Sequence, residues 1–219
     1  MLRYKITVLF ILLISICTFN FVEAGTNELP LLGKVIYLDP GHGGLDPGAM
    51  YKNIKEKNIN LQISKNLEKR LTKLGAIVYL TRYDDYDLSV NNTINRKRSD
   101  LSRRGNIINK SDCDLFLSIH LNAENTGIWK GAQTFYNTNN KENKKIAELL
   151  QQQFKEDLNS KRKAKNKNDL YLQKRINRPG VLIEVGFLSN ASERYLLKQE
   201  KYQDKVTLSI ATALLKYFK

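Results

Sequence analysis

The sequence predicts an α/β fold, a three-layer α/β/α sandwich around a mixed, largely parallel central sheet of about six strands. Short β-branched apolar runs alternate with longer stretches in which apolar residues recur every three or four positions, the pattern of alternating strands and helices. One late run is almost continuously apolar, which is typical of a strand buried on both faces of a parallel sheet. The 219 residues are enough for one such domain.

Five segments are predicted as strands because β-branched and aromatic residues dominate them and turn-forming residues bound them. They cover residues 34–39, 76–81, 114–120, 131–137 and 179–187. The first, KVIYLD, ends at Pro40 and Gly41. The last, PGVLIEVGF, is predicted to be fully buried although it contains one carboxylate, Glu184.

Four segments have the apolar spacing of helices. After the first strand, apolar residues recur at spacings of four, four, four and three, which predicts an amphipathic helix from about Glu56 to Leu74, ended by Gly75. The other helices are predicted over about 100–110, around the apolar face of 146–154, and over about 203–217. The polar segment 83–99 has no apolar period and is predicted as a loop.

The first 24 residues have the layout of an export signal. Arg3 and Lys5 precede an apolar run from Ile6 to Val22, and Ala24 is a small residue suited to cleavage. Because the run also lies at the lower length limit for a membrane span, residues 1–24 are predicted as a signal peptide or an N-terminal membrane anchor. Residues 25–33 are predicted as a linker and 34–219 as the folded domain. Membrane contact is expected only through the N-terminal segment.

The formal net charge is +14, from 36 Lys and Arg against 22 Asp and Glu. The densest basic segment, KRKAKNK at 161–167, has no interleaved aromatic residues, so a nucleic-acid partner is not predicted. Anionic wall polymers, lipid head groups or a merely solvated loop are the alternatives for it. Cys113 is the one cysteine beyond the N-terminal segment, and it is predicted to pack in the core.

The two histidines of the chain, His42 and His120, both follow or end predicted strands. In a largely parallel sheet the carboxyl ends of the strands share one edge, where ligands of α/β folds bind. Each histidine alone could be a structural turn or core residue, but the pair at one edge favours a ligand site. A buried Glu184 needs an ion-pair partner, a proton or a nearby metal. Glu56 could also have no role beyond the first helical turn, where the helix dipole stabilises a negative side chain.

Two imidazoles and one carboxylate leave one position of a tetrahedral zinc open for water, and a further carboxylate can serve as base in hydrolysis. The donor set does not choose the metal, because non-haem iron accepts two His and one carboxylate as well. The turn DPGHGG lacks the ending and spacing of phosphate-binding loops, so nucleotide binding is not predicted.

The motifs DPGHGGLDPGA, KEKNINL, LTR, RRGNIIN, DLFLSIHLNA and VLIEVGFLSN follow one another along the chain. In this order they resemble the zinc-dependent N-acetylmuramoyl-L-alanine amidases of bacterial walls, over about residues 34–217. The resemblance implies that His42, Glu56 and His120 bind one Zn²⁺ and that Glu184 is the catalytic carboxylate. Ala191 departs from the pattern, since proline is usual after FLSN.

The segments RKRSDLSRR, WKGAQTFYN, KRKAK and YLQKRINRPG are similar to the spore-cortex branch of that family, the CwlD type. This implies cleavage of the bond between N-acetylmuramic acid and L-alanine in peptidoglycan during cortex maturation, as a step toward muramic-δ-lactam. It also implies action in the cell wall or the forespore intermembrane space, and a sporulation activator protein as a partner. The alternatives are an inactive peptidoglycan-binding module and a zinc peptidase that cuts stem peptides.

Overall fold

The computed structural model describes residues 29–91 and 93–219. The strands in this part are β1 (Val35–Pro40), β2 (Met50–Tyr51), β3 (Ile54–Lys55), β4 (Ile77–Leu80), β5 (Leu115–Asn122), β6 (Gln133–Tyr136), β7 (Lys165–Asn166) and β8 (Gly180–Phe187). The helices are α1 (Glu56–Lys73), α2 (Arg96–Lys110), α3 (Glu142–Leu158), α4 (Tyr171–Arg175), α5 (Ala191–Leu197) and α6 (Glu200–Tyr217).

Six strands form the central sheet in the order β4-β1-β5-β8-β6-β7. Strands β4, β1, β5 and β8 run parallel to one another, whereas β6 pairs antiparallel with β8 and β7 pairs parallel with β6. Helices cover both faces of the sheet, so the predicted three-layer sandwich with a mixed, largely parallel sheet is confirmed. Strands β2 and β3 form a separate short hairpin ahead of α1.

The two faces of the sheet carry cores of different size. The larger core lies under α1, α3 and α6, whose apolar faces pack on alternate residues of β1, β5 and β8. The smaller core lies under α2 and α4 and consists of Ile108, Cys113, Phe116, Leu172 and Ile176. Cys113 is a free, buried thiol there, so its predicted packing role is confirmed.

Some predicted boundaries were wrong for local reasons. Helix α2 begins at Arg96, inside the predicted loop 83–99, because the Asn95 side chain caps it by accepting a hydrogen bond from the Arg98 N–H. Strand β8 was predicted to be fully buried, but Leu182 and Glu184 are only half-buried, because their side chains line an open groove beside the strand. The short elements α4, α5 and β7 were not predicted, since two to seven residues are too few to show a period.

The predicted export signal or anchor, residues 1–24, lies outside the described residues, as do residues 25–28 of the predicted linker. Leu31, inside that linker, is fully buried in the larger core, and its N–H donates to the Leu74 carbonyl at 2.9 Å. The packed domain therefore includes Leu31 and does not begin at 34, because this leucine fills the core beside α1. None of the described helices is long and apolar enough to cross a membrane.

Candidate metal and catalytic site

The candidate site begins in the loop that follows β1. His42 has a positive φ of 63°, and Gly43 and Gly44 after it also have positive φ values. The left-handed conformation costs a residue with a side chain roughly 1–2 kcal/mol, so the surroundings must hold His42 in place. The Arg104 Nη2 donates to the His42 carbonyl at 2.6 Å, which is one such restraint.

Two buried arginines fix this loop. Arg82 donates to the carbonyls of Pro40 and Gly41 at 3.0 Å each, and Arg104 donates to the carbonyls of Pro40 and His42. Both side chains are about 1% exposed, so the bonds are shielded from water. The three successive carbonyls of residues 40–42 thus obtain charged donors.

Arg104 is itself neutralised by two carboxylates. It contacts Asp39 at 2.8 Å and Asp100 at 2.9 Å. Burial alone would raise the pKa of Asp39, but the charge of Arg104 and hydrogen bonds from Thr81 and Ser118 lower this pKa to about 2. The network joins the end of β1 to β5 and α2.

Three side chains converge at the carboxyl edge of the sheet. His42 Nε2 lies 3.2 Å from Glu56 Oε1, and His120 Nδ1 lies 3.1 Å from the same oxygen. The two imidazole rings are 4.9 Å apart and nearly perpendicular. One ligand atom from each of the three residues lies within 4.8 Å of the other two. Glu56 reaches this point because it is the first residue of α1, whose start faces the ends of β1 and β5.

Neighbouring groups orient these three side chains. His42 Nδ1 bonds to Asp46 Oδ2 at 2.8 Å, so its Nε2 faces Glu56. Glu56 Oε1 accepts hydrogen bonds from the Leu121 N–H and from Asn60, and Oε2 accepts one from the Ala49 N–H. A carboxylate held on both oxygens and an imidazole held on one nitrogen leave little rotational freedom, which is typical of metal sites.

Two glycines make room for this arrangement. A Cβ atom at Gly41 would overlap the His120 ring, and one at Gly48 would overlap both the His42 ring and the Glu56 carboxylate. Gly48 also has a φ of +67°. Gly43 and Gly44, with their positive φ values, allow the turn itself, whereas Gly41 allows the close approach of His120.

The ionisation of the cluster favours a cation. Burial would raise the pKa of Glu56, but hydrogen bonds and charge from His120 and His42 lower it strongly. Burial would lower the pKa of His42, but Asp46 and Glu56 raise it to about 9. Without another cation, a proton on His42 therefore offsets the negative charge of Asp46 and Glu56, and a metal ion would displace that proton.

Glu184 lies beside the cluster on β8, directly opposite His120 in the β5–β8 pairing. Its Oε2 is buried and has no hydrogen-bond partner among the described residues. Burial raises the pKa of Glu184 to about 7, assisted by the charge of Glu56 and opposed by that of His120. A carboxyl group with a pKa near neutrality and a free oxygen can exchange a proton with a reacting molecule.

The geometry fits the residues predicted from the sequence. It brings His42, Glu56, His120 and Glu184 to one edge, and it gives Glu56 more than a helix-dipole role. Two imidazole nitrogens and one carboxylate oxygen are a donor set that zinc accepts with a position left open. Metal binding by these residues stays a prediction. Sequence reasoning gave no role to Asp46, Asn60, Arg82 or Arg104, although each of them lies in one of the motifs that carry the family resemblance.

Comparison with known proteins agrees with this picture. The sequence profile of the family described as N-acetylmuramoyl-L-alanine amidase (Amidase_3) matches residues 36–216. The germination-specific N-acetylmuramoyl-L-alanine amidase of Bacillus subtilis is 44% identical over 216 residues, which are 95% of this chain and 91% of the relative.

Solved structures give the same result. The CwlD amidase of Clostridioides difficile, solved in complex with the GerS lipoprotein, is 40% identical, with a TM-score of 0.79 over 84% of this chain and 98% of the other. An N-acetylmuramoyl-L-alanine amidase of Clostridium difficile 630 is 33% identical, with a TM-score of 0.75 over 84% of this chain and 96% of the other.

Proposed function

Because this chain belongs to the N-acetylmuramoyl-L-alanine amidase family, we propose that it hydrolyses the amide bond between N-acetylmuramic acid and L-alanine in peptidoglycan. The observation that carries the proposal is the position of Glu184, opposite His120 and beside the donor set of His42, Glu56 and His120. A binding module would have no need of a free carboxyl oxygen at that point.

In this proposal His42, Glu56 and His120 hold one Zn²⁺. Bound zinc supplies Lewis acidity at the scissile carbonyl and lowers the pKa of water. Glu184 accepts a proton from the attacking water and passes it to the nitrogen of the leaving L-alanine. The amide C–N bond breaks, and the products are the lactyl carboxylate of the muramic acid and a stem peptide with a free amine.

We assign the chain to the spore-cortex branch, because of its likeness to a germination-specific amidase and to CwlD. The cleavage would then prepare the sugar for muramic-δ-lactam formation. The substrate is outside the cytoplasmic membrane, so residues 1–24 would direct export or anchor the chain there, ahead of a catalytic domain that extends to 219. The GerS complex of the C. difficile relative makes a lipoprotein activator the partner to test.

The test uses the chain without residues 1–24, loaded with zinc and incubated with muropeptides, and mass spectrometry of the products. We expect release of intact stem peptides with an N-terminal L-alanine. Glu184→Gln should lower the rate of hydrolysis by about 10²–10⁴-fold while the protein still binds zinc. His42→Ala should lose both zinc binding and hydrolysis. If the zinc-loaded protein does not cut the substrate either with or without an activator protein, the chain is a binding module and not an amidase. Cuts within the stem would indicate a peptidase.

A further inference from the structure

The basic segment 161–167 forms one wall of a groove that ends at Glu184. The groove has a volume of about 920 Å³ and runs along β6, β7 and β8. Arg162, Lys165 and Lys167 of this segment line it, together with Lys174 of α4. We propose that this groove binds the stem peptide through its carboxylates, with Arg162 as a fixed carboxylate-binding residue. This inference rests on the proposed amidase function.

The charges along the groove fit an anionic ligand. Four cationic side chains line it, against Glu124 and Asp169 and the catalytic Glu184. The three lysines have no ion-pair partner within the part of the chain that the structure describes. Stem peptides carry free carboxylates on their acidic residues and their C-terminus, whereas N-acetylated sugars are uncharged. The peptide part of the substrate therefore complements this wall.

Arg162 differs from the lysines because it is held in place. Its guanidinium lies between the rings of Trp129 and Phe187, at 4.8 and 4.9 Å from their centroids. Its Nε donates to the Lys130 carbonyl at 3.0 Å, while Nη2 is buried and has no acceptor among the described residues. A guanidinium with a fixed plane and a spare donor loses little entropy on binding a carboxylate.

The position of Glu184 gives the groove its direction. Leu182 and Glu184 line both this groove and a second cavity of about 230 Å³ that contains His42 and His120. The second cavity is lined by two cationic side chains, Arg104 and Lys97. Arg104 is already paired with Asp39 and Asp100, so this cavity offers an anionic ligand fewer unpaired cations than the groove does. The scissile bond has to lie near Glu184, so the stem peptide extends along the basic groove and the glycan leaves on the other side.

The experiment measures KM and kcat of the full-length, zinc-loaded chain on two disaccharide-tetrapeptides that differ only in free or amidated stem carboxylates. We expect a KM about tenfold lower for the free acid, and a smaller difference at high salt. Lys165→Gln with Lys167→Gln, two exposed side chains, should raise the KM for the free acid about threefold to tenfold and change the KM for the amidated substrate much less. Arg162→Gln should also raise the KM for the free acid, and Arg162→Lys should restore part of the preference for the free acid over the amidated substrate.

Lys201→Gln with Lys205→Gln is the matched control, because it removes two exposed charges from α6 on the opposite face of the sheet. It should keep the wild-type preference. Equal KM values for the two substrates in the wild type would overturn the groove assignment and leave the amidase function intact. Titration with free tetrapeptide tests the groove without requiring cleavage. If the wild type binds the peptide, the groove variants do not, and no amide bond is cut, the groove assignment stands and only the amidase function is overturned.

Discussion

Asp46 decides which nitrogen of His42 is available at the site. Its carboxylate lies 2.8 Å from Nδ1 and can only accept a hydrogen bond, so Nδ1 carries a proton and Nε2 is the nitrogen that faces Glu56. A carboxylate behind a ligating imidazole both orients the ring and raises its basicity. Asp46 also accepts the Gly48 N–H at 3.0 Å, which fixes its own rotamer within the glycine-rich loop. We infer that it is a positioning residue for the metal.

Asp46→Asn should therefore weaken zinc binding by about tenfold, because the amide keeps the volume of the side chain but loses its charge. Competition with a chromophoric chelator measures the dissociation constant. Asp204→Asn, which removes an exposed carboxylate from α6, is the control and should leave the affinity unchanged. Equal zinc affinity of Asp46→Asn and the wild type would show that Asp46 has no part in orienting His42.

At the scale of elements, the connection from β1 to the start of α1 is held by residues from two other elements. Arg82 follows β4 and Arg104 lies in the middle of α2, and together they bind the carbonyls of residues 40–42. Both are buried, so each needs compensation for the loss of water. The carbonyls and the carboxylates of Asp39 and Asp100 provide it. The position of His42 thus depends on the packing of α2 against the sheet.

Arg104→Met should lower the free energy of unfolding by about 3 kcal/mol or more, since it leaves Asp39 and Asp100 buried without their cation. It should also weaken zinc binding, because His42 loses a restraint on its positive φ. Urea unfolding and the chelator competition measure the two effects. Arg70→Met, which breaks an exposed pair with Asp204, should cost less than about 1 kcal/mol. Similar losses in both variants would contradict a special role for Arg104.

Over the whole molecule, the long elements and the shared site edge could be predicted from the sequence. Apolar spacing gave α1 to within a residue, and the parallel-sheet rule brought His42 and His120 together. The arginine network could not be predicted, because Arg104 meets Asp39 and His42 across more than sixty positions and their charges have no local pattern. Strand β7 has two residues, too few for any period, so the wall formed by 161–167 was not recognised as part of a groove.

The same network should govern how the whole fold responds to acid. The pKa of Asp39 is about 2 in the folded chain and near its ordinary value of 3.8 in the unfolded chain, so the folded state binds fewer protons between these values. Its contribution is then fully present above pH 4 and is lost as the pH falls through about 2. The lowered pKa corresponds to about 2 kcal/mol.

Asp39→Asn should accordingly be less stable than the wild type by about 2 kcal/mol at pH 6, and this difference should shrink toward zero by about pH 2. Urea unfolding of both zinc-free proteins across that range measures it, and the other acidic groups cancel because both proteins share them. Asp112→Asn removes a fully exposed carboxylate and should stay within about 0.5 kcal/mol of the wild type at every pH. A difference for Asp39→Asn that does not change with pH would mean that lost contacts, and not ionisation against Arg104, account for its effect.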